Sequence, residues 1–277
     1  MRRILVLVMV AVMVFALCAC GGGTGSGDAA APEKKVLRVG MECAYAPNNW
    51  LETTDTDTNL PISNVEGSFA EGYDVQMARR IAENAGYEVE IVMLSWDGLI
   101  EALNQGQIDL IIAGMADTAE RRESINFSDP YHVTEYGILL NKDSAFASAT
   151  SIHEFAGACV LGQKDTQLDT VIDQMEGVDH LTPVNSVPNM ISRLQEGTCD
   201  AIVVNVESSR AYLDSNPNFA LIRFEEGKGF DLGFTGACVG IRKADTALLE
   251  EINAALAKID DATRTELWNA AEANQPA

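Results

Sequence analysis

Arg121 is the residue whose position most directly suggests binding chemistry. Thr118 is typical of a helix N-cap, which places Arg121 in the first turn of the helix that follows. The helix dipole opposes a cation there by about 0.3–1 kcal/mol, so an anionic partner would offset the unfavourable position. Two interpretations are open: Arg121 binds an anionic group of a ligand, or it forms a surface ion pair with Asp117, Glu120 or Glu123.

The segment Asp165-Thr166-Gln167 lies between a predicted strand and a predicted amphipathic helix. Backbone N–H groups at such a helix start point at whatever lies beyond it, and they favour anions. An arginine fork and backbone N–H groups together suit a carboxylate, because they match its charge and its oxygen lone pairs. Thr166 has a simpler alternative role as a capping residue only.

No set of residues typical of catalysis or cofactor binding occurs in the sequence. A Ser-His-Asp or Cys-His set with motif support, a GxxxxGK[ST] loop and an HExxH helix are all missing, so we expect no cofactor.

The four cysteines after Cys20 match no zinc spacing. In an exported chain they could pair, and we favour Cys159 with Cys199 because both begin strands that should be neighbours; unpaired buried thiols are the alternative.

Strand and helix patterns alternate along the chain. Apolar runs predict strands at residues 37–41, 89–93, 109–113 and 159–162. Periodic apolar faces predict helices that begin near Asp74, Gly98 and Leu168, and one at 248–259. Such alternation is typical of an α/β fold with mainly parallel sheets flanked by helices.

One helix-glycine-strand unit occurs twice. Residues 103–111 (Leu-Asn-Gln-Gly-Gln-Ile-Asp-Leu-Ile) return as residues 194–202 (Leu-Gln-Glu-Gly-Thr-Cys-Asp-Ala-Ile), with leucine, glycine, aspartate and isoleucine at a constant offset of 91. Chance could supply one such match, because the unit is common. Its place after similar strands and helices favours two lobes of the same architecture, with a cleft at the carboxyl ends of their strands where ligands bind.

Residues 1–20 have the pattern of an export signal. Arg2 and Arg3 precede an apolar run of 14 residues, which at about 1.5 Å per residue is too short for a bilayer core of ~30 Å. The run ends in Leu-Cys-Ala-Cys20, which resembles the bacterial lipobox and implies acylation of Cys20; an ordinary cleaved signal is the alternative. Residues 21–35, rich in small residues, predict a flexible tether.

The mature chain is strongly acidic. Removal of residues 1–19 takes away Arg2 and Arg3 but no acid, so the net charge changes from −22 to −24. A surface of this charge repels nucleic acid, and we expect no nucleic-acid partner. Roughly 240 ordered residues exceed one typical domain and favour two, in a chain that we expect to be a monomer.

Several motifs resemble those of the family 3 bacterial extracellular solute-binding proteins. They are Gly-Tyr-Asp-Val-Gln-Met-Ala at 72–78, Trp-Asp-Gly-Leu-Ile-Glu-Ala-Leu at 96–103, Gly-Gln-Ile-Asp-Leu-Ile-Ile-Ala-Gly-Met at 106–115 and Thr-Ala-Glu-Arg-Arg-Glu-Ser-Ile-Asn-Phe-Ser-Asp-Pro-Tyr at 118–131. The resemblance continues through Gly-Ile-Arg-Lys at 240–243 and the final helices. It covers nearly the whole mature chain, and the order of the motifs makes it specific.

The resemblance implies a two-lobe periplasmic-binding-protein type II fold with two hinge crossovers. Lobe 1 would comprise residues 36–134 and 236–277, and lobe 2 residues 135–235. It further implies a receptor that captures a free polar or cationic amino acid by hinge closure and passes it to an ABC permease with its ATPase. The lipid anchor would hold this receptor on the outer face of the cell membrane.

At the carboxylate end of the ligand, the family's arginine falls on Arg121, and its Gly-Thr pair falls on Asp165-Thr166, followed by Gln167. Aspartate in place of glycine adds negative charge near the expected carboxylate.

At the ammonium end, family members use backbone and hydroxyl oxygens and an aspartate. The matching residues here are Gly114, Ala116 and Asn205, which offer no formal charge, so Asp117 or Glu207 could take the ammonium instead, and a modified amino acid stays an alternative ligand.

At the side-chain end, the resemblance implies that Tyr45 and Trp96 form walls around the ligand. Each follows a predicted strand directly, although isolated aromatic residues more often belong to a core. Glu42 matches a position where an acid meets the distal nitrogen of basic ligands in some relatives, with both rings nearby for cation–π contact. A solvated acid at a strand end is the other interpretation of Glu42.

Two other functions are open at this point. One is a cleft enzyme of the same fold, such as a dehydratase of a cyclic acid, with Glu42 or Asp165 as acid or base. The other is a ligand sensor module. The absence of any motif that marks a catalytic acid favours a receptor that is not an enzyme.

Overall fold

The computed structural model describes residues 35–232 and 236–276. The predicted signal peptide, Cys20, the tether up to residue 34, and Thr235 at the second crossover therefore lie outside the described residues. Among the helices of the described ranges, none combines the length and the apolar character that crossing a membrane requires.

The secondary structure alternates between strands and helices as the sequence predicts. The strands are β1 Val36–Met41, β2 Ala44–Tyr45, β3 Asn49–Glu52, β4 Leu60–Pro61, β5 Phe69–Glu71, β6 Glu88–Met93, β7 Leu110–Ile111, β8 Ile125–Val133, β9 Tyr136–Asn141, β10 Cys159–Leu161, β11 Asp179–His180, β12 Ala201–Asn205, β13 Phe219–Ile222 and β14 Gly236–Arg242. The helices are α1 Tyr73–Ala85, α2 Leu99–Asn104, α3 Ala119–Ser124, α4 Gln167–Thr170, α5 Val187–Gln195, α6 Arg210–Ser215, α7 Thr246–Leu256 and α8 Asp261–Asn274.

Two five-stranded sheets organise the fold, in the orders β6-β1-β7-β14-β8 and β11-β10-β12-β9-β13. In each sheet, the first three strands are parallel and the last two are antiparallel to their neighbours. The expectation of mainly parallel sheets is thus correct for the strands that alternate with helices. Strands β8, β9 and β14 flank the points where the chain passes from one sheet to the other. The strand that follows each passage, β9 or β14, runs antiparallel to the parallel strand beside it.

A third sheet, β2-β3-β5-β4, is small and antiparallel. The sequence does not predict this sheet, because its strands are only two to four residues long and flank the acidic stretch 52–57. Trp50 in β3 is buried in the core of the first sheet, and its indole N–H donates to Glu52 at 2.9 Å. The small sheet therefore extends the first lobe.

The repeated unit of the sequence makes the same hydrogen bonds in both sheets. After α2, the Gln107 N–H donates to the Ala102 carbonyl, and after α5, Thr198 donates to Arg193 in the same way. Gly106 and Gly197 end these helices with φ of +74° and +68°, the left-handed conformation that glycine adopts without strain. The two aspartates of the repeat each accept from the backbone N–H of the neighbouring parallel strand, Asp109 from Arg38 at 3.1 Å and Asp200 from Cys159 at 2.8 Å.

The favoured disulfide between Cys159 and Cys199 is wrong. Among the described residues, Cys43, Cys159, Cys199 and Cys238 are all free thiols. The strands β10 and β12 are neighbours as expected, but Val160 lies opposite Ala201, so the residue beside Cys159 is Asp200. Because side chains alternate between the faces of a sheet, this register directs the two sulfurs to opposite faces.

Gly162 allows the start of α4 to approach the end of β10. A Cβ at this position would lie 2.4 Å from Asp169 Cα and 2.7 Å from the Leu168 carbonyl oxygen. We therefore expect Gly162→Ala to lower the free energy of unfolding by about 1–3 kcal/mol, because backbone has to move. Urea denaturation followed by circular dichroism measures the change.

The matched control is Gly98→Ala, whose Cβ would meet only the Ser95 hydroxyl, at 3.1 Å, a side chain that can rotate away. Equal denaturation midpoints for the two variants would contradict a steric role of Gly162.

Candidate ligand-binding site

A cavity lies at the carboxyl ends of the parallel strands of both five-stranded sheets. Its lining residues follow β1 (Glu42), β7 (Gly114) and β10 (Gln163), or end β12 (Asn205). This is the position at which α/β sheets bind ligands, because the loops that follow the strands converge there. Its volume is about 30 Å³, enough for about two water molecules by a requirement of ~10–15 Å³ each.

All nine residues that the sequence analysis assigned to a ligand line this cavity. They are Glu42, Tyr45, Trp96, Gly114, Ala116, Arg121, Thr166, Gln167 and Asn205. Four further lining residues escaped prediction: Ala113, Tyr136, Gln163 and Leu168. Gln163 had a usable signal, since it is a polar residue soon after a buried strand, whereas Tyr136 lies in strand β9 and only the fold turns it toward the cavity.

The Arg121 side chain is buried, with 9% of the residue exposed. Thr118 caps α3 as predicted, and its hydroxyl accepts from the Arg121 N–H at 3.2 Å. The guanidinium donates to the carbonyl oxygens of Ala116 at 2.7 Å and Asp165 at 2.6 Å, and its carbon lies 5.2 Å from the centre of the Trp96 ring. Burial lowers the pKa of Arg121, because removal from water disfavours the charged form.

The surface ion pair that was the alternative for Arg121 belongs to its neighbour. Arg122 is exposed and forms a bidentate pair with Asp117. Within the described ranges, no carboxylate lies within 4.0 Å of the Arg121 guanidinium. Arg121 is therefore a buried cation whose hydrogen bonds go to neutral carbonyl groups.

The segment after β10 approaches Arg121 from the second sheet. Asp165 has a φ of +58°, a left-handed conformation that favours glycine, and this turns its carbonyl toward Arg121. Thr166 is the N-cap of α4, and its hydroxyl accepts from the Leu168 N–H at 3.1 Å. Gln167 accepts from the Tyr136 hydroxyl at 3.1 Å. The Asp165 carboxylate pairs with Lys164 at 3.6 Å, and Asp165 is not among the residues that line the cavity.

Tyr45 crosses the cleft. It is the last residue of β2 in the first lobe, but its ring packs in the core of the second sheet, and burial raises the pKa of its hydroxyl well above the usual value. The Asn205 side-chain N–H donates to this hydroxyl. The other amide atom, Asn205 Oδ1, is buried and has no hydrogen-bond partner among the described residues. A buried acceptor of this kind is costly unless a donor reaches it.

Glu42 is the carboxyl-bearing residue among those that line the cavity. Burial raises the pKa of Glu42 to about 7, and the nearby Asp74 carboxylate adds to the shift. The Arg121 guanidinium and the Glu42 carboxyl line the same cavity, which suits a ligand that carries charges of both signs.

Asp74 lies behind the cavity wall and holds two of its loops. Its carboxylate accepts from the Tyr131 hydroxyl at 2.7 Å and from the Asn49 side chain at 2.8 Å. Tyr131 in turn accepts from the Gly114 N–H at 2.9 Å, and Asn49 accepts from the Cys43 N–H at 2.8 Å. Burial raises the pKa of Asp74 to about 6, against the opposing effect of both hydrogen bonds.

Asp117 and Glu207, the acids named as alternative ammonium ligands, have other partners. Asp117 pairs with Arg122, and Glu207 accepts from the Thr134 hydroxyl and, at 3.2 Å, from the Glu135 N–H. Neither lines the cavity. In the described part of the chain, no cluster of three or more His, Cys, Asp or Glu residues could hold a metal ion.

Hydrogen bonds between the two lobes close the cleft. Beside the Arg121–Asp165 and Asn205–Tyr45 contacts, the Asn48 side chain donates to the Ser208 hydroxyl at 3.1 Å. Each of these bonds joins residues far apart in sequence across the two sheets. The structure is therefore that of a closed cleft.

The comparisons with known proteins agree with this geometry. The profile of the bacterial extracellular solute-binding proteins, family 3, matches residues 37–269. The arginine-binding extracellular protein ArtP of Bacillus subtilis is 26% identical over 201 residues, which cover 73% of this chain and 77% of that protein. A probable histidine-binding protein of Neisseria gonorrhoeae is 28% identical over 243 residues, covering 84% of this chain and 82% of that protein.

A crystal structure of the substrate-binding protein of an amino acid ABC transporter has a TM-score of 0.71 and 25% identity, and covers 85% of this chain and 98% of that chain. The expected two-lobe type II fold is thus confirmed. Because the profile matches most of the chain and the fold places a charged cavity between two lobes, this chain belongs to the bacterial extracellular solute-binding proteins, family 3, and is a substrate-binding receptor.

Proposed function

We propose that this receptor binds a free amino acid with a polar or cationic side chain, for uptake by an ABC importer. The observation that carries the proposal is Arg121, a buried cation at the cavity that has no carboxylate partner in the described ranges. A ligand carboxylate would supply the missing anion, because a guanidinium fork matches a carboxylate in charge and shape. The similar proteins named above are described as binding arginine or histidine, which supports a cationic ligand.

The carboxylate would take hydrogen bonds from Arg121 and from the start of α4. In the described structure the backbone N–H groups of Thr166 and Gln167 have no acceptor, because they precede the first bonded turn of the helix. In this structure the Asp165 carbonyl accepts a hydrogen bond from Arg121. When the cleft opens and then closes around a ligand, the ligand carboxylate would take the place of this carbonyl.

The nitrogen atoms of the ligand would bind farther along the cavity. Asn205 Oδ1 and the Gly114 carbonyl can accept from the α-nitrogen, and Glu42 can pair with a cationic group at the end of the side chain. The rings of Tyr45 and Trp96 would enclose the apolar part of the side chain. These roles remain the proposals that the sequence motifs suggested, now supported by one shared cavity.

Hinge closure would trap the ligand. Strand β8 ends at Val133 and β9 begins at Tyr136, which supports a crossover near Thr134 and Glu135 and lobe boundaries at 36–134, 135–235 and 236–277. A ligand that binds the closed form better than the open form shifts the population toward closure. Glu207 would brace this crossover through its hydrogen bonds to Thr134 and Glu135.

We also infer the setting in which the receptor acts. Export by the N-terminal signal and acylation of Cys20 would place a monomer outside the cell membrane, tethered through residues 21–35 next to its permease. The family consists of solute-binding proteins, which supports a receptor that is not an enzyme.

We expect Arg121→Ala to weaken amino-acid binding by about 30-fold or more, because truncation of one partner of a buried ion pair costs about 2–5 kcal/mol. The measurement is isothermal titration calorimetry with the amino acid that gives the largest shift in a thermal screen of the common amino acids, ornithine, citrulline and cystine. The matched control is Arg122→Ala, which removes the adjacent exposed cation that pairs with Asp117.

Equal affinities for the Arg121→Ala and Arg122→Ala proteins would remove Arg121 from the site. A thermal screen in which only a compound that is not an amino acid stabilises the protein would overturn the proposed ligand class.

We expect arginine to bind about tenfold more tightly at pH 8 than at pH 6. A carboxyl with a pKa of about 7 is mostly protonated at pH 6 and mostly ionised at pH 8, and only the ionised form of Glu42 attracts a cation. Arginine keeps its side-chain charge throughout this range, so the change reports on the protein. Calorimetry in buffers of different ionisation enthalpy would also detect proton release on binding at pH 6.

The Glu42→Gln protein should bind arginine weakly and lose most of this pH dependence, whereas Glu66→Gln, at an exposed carboxylate, should retain it. An undiminished pH dependence in the Glu42→Gln protein would assign it to another group.

A further inference from the structure

His180 joins two carboxylates of the second lobe. Its Nε2 lies 2.8 Å from a carboxylate oxygen of Asp169, and its Nδ1 lies 3.1 Å from one of Asp173. The three side chains come from three consecutive elements: Asp169 from α4, Asp173 from the 3₁₀ helix Val171–Gln174, and His180 from β11. None of the three lines the cavity.

Both ring nitrogens of His180 must carry a proton for this arrangement to hold. A carboxylate oxygen can only accept a hydrogen bond, so each nitrogen that faces one has to donate, and a neutral imidazole has only one N–H group. Burial lowers the pKa of His180, but the hydrogen bonds and charges of Asp169 and Asp173 outweigh it, so the pKa lies above its ordinary value. His180 is therefore an imidazolium at pH 6.

Asp169 and Asp173 are the charged groups that bear on His180. Neither carboxylate has another cationic partner within 4.0 Å among residues 35–232 and 236–276. Asp179, the neighbour of His180 in β11, accepts from the Cys159 thiol at 3.7 Å, and the alternation of side chains along a strand directs it to the other face. Loss of the proton from His180 therefore leaves two carboxylates without the cation that they share.

The bridge holds α4 from its polar side. The apolar side of this single turn is seated by the buried Leu168, and its backbone lies so close to β10 that a Cβ on Gly162 would meet Asp169 Cα at 2.4 Å. Backbone hydrogen bonds hold β11 to β10, so His180 stands on a fixed strand. Through Asp169, the imidazolium links α4 to this strand.

The position of α4 matters because the helix and its cap form one wall of the cavity. Thr166, Gln167 and Leu168 all line it, and Gln167 accepts from the hydroxyl of Tyr136, another lining residue, at 3.1 Å. A single helical turn is only marginally stable by itself, so packing and side-chain anchors have to set its position. A displaced α4 would lower the fraction of molecules whose cavity fits the ligand, and the apparent affinity falls with that fraction.

We propose that His180 is a positioning residue of the binding site: as an imidazolium it bridges Asp169 and Asp173 and holds α4 in the conformation that binds the ligand carboxylate. This inference rests on the proposed function, because it concerns the same cavity and the same end of the ligand. The contribution is fully present below about pH 6.5, the ordinary pKa of histidine, and is lost as the pH rises through the raised pKa of the folded protein. Its sign is opposite to that of the pH dependence expected from Glu42.

Calorimetry on the wild-type and His180→Gln proteins at pH 6 and pH 9 tests this role, with arginine or with the amino acid that the thermal screen selects in its place. The ratio of the two affinities at one pH cancels the titration of Glu42 and of the ligand. We expect the wild-type protein to bind about three- to fivefold more tightly at pH 6, as two partly exposed charge contacts allow, and less than about twofold more tightly at pH 9. The matched control is His153→Gln, at an exposed histidine before β10, and its ratio should stay near one.

His180→Arg is the rescue variant, since a guanidinium keeps its charge throughout this range and can pair with both carboxylates. It should bind within about twofold of the wild-type protein at pH 6 and more tightly than His180→Gln at both pH values. Should circular dichroism show that His180→Gln does not fold, Asp173→Asn removes one contact at an exposed carboxylate and should weaken binding about twofold at pH 6.

A merely structural role of His180 would change the melting temperature with pH but leave the affinity ratio near one. That result, or a ratio that is the same at pH 6 and pH 9, would overturn the positioning role and leave the proposed function intact. Failure of the wild-type protein to bind any amino acid of the thermal screen would instead overturn the proposed function.

Discussion

The site depends on the burial of one guanidinium whose hydrogen bonds go to neutral carbonyl groups. Arg121 is held by the Thr118 cap of its own short helix, by the ring of Trp96 and by carbonyl oxygens from both lobes. Its neighbour Arg122 takes the nearby acid, Asp117, at the surface. Desolvation without an ionic partner leaves a strong preference for an anion, and the cavity beside Arg121 is where an anion can approach.

A carboxyl in the same cavity adds a preference for a cation. Burial and the nearby Asp74 carboxylate raise the pKa of Glu42, and burial raises the pKa of Asp74. Asp74 is held by Tyr131 and Asn49, which also hold the loops that present Gly114 and Glu42 to the cavity. One network therefore shapes the wall of the cavity and places negative charge behind it.

The repeated helix-glycine-strand unit explains why a cleft exists. Both copies end a helix at a left-handed glycine and anchor a strand through an aspartate, so both sheets present the carboxyl ends of their parallel strands to the same space. The antiparallel strands, which the repeat does not contain, connect the sheets. In the closed cleft, polar contacts such as that of Asn48 with Ser208 join the two lobes.

The elements and the family could be predicted from the residues alone, because apolar periodicity, the glycine stops and the ordered motifs are local properties of the chain. It also identified all nine assigned residues that line the cavity, although motif resemblance rather than local physics carried most of them. Three features are visible only in the folded chain: the register that separates Cys159 from Cys199, the path of Tyr45 into the opposite lobe and the inclusion of Tyr136 in the cavity. These depend on how distant strands and lobes meet, and no short stretch of sequence encodes the geometry of such a contact.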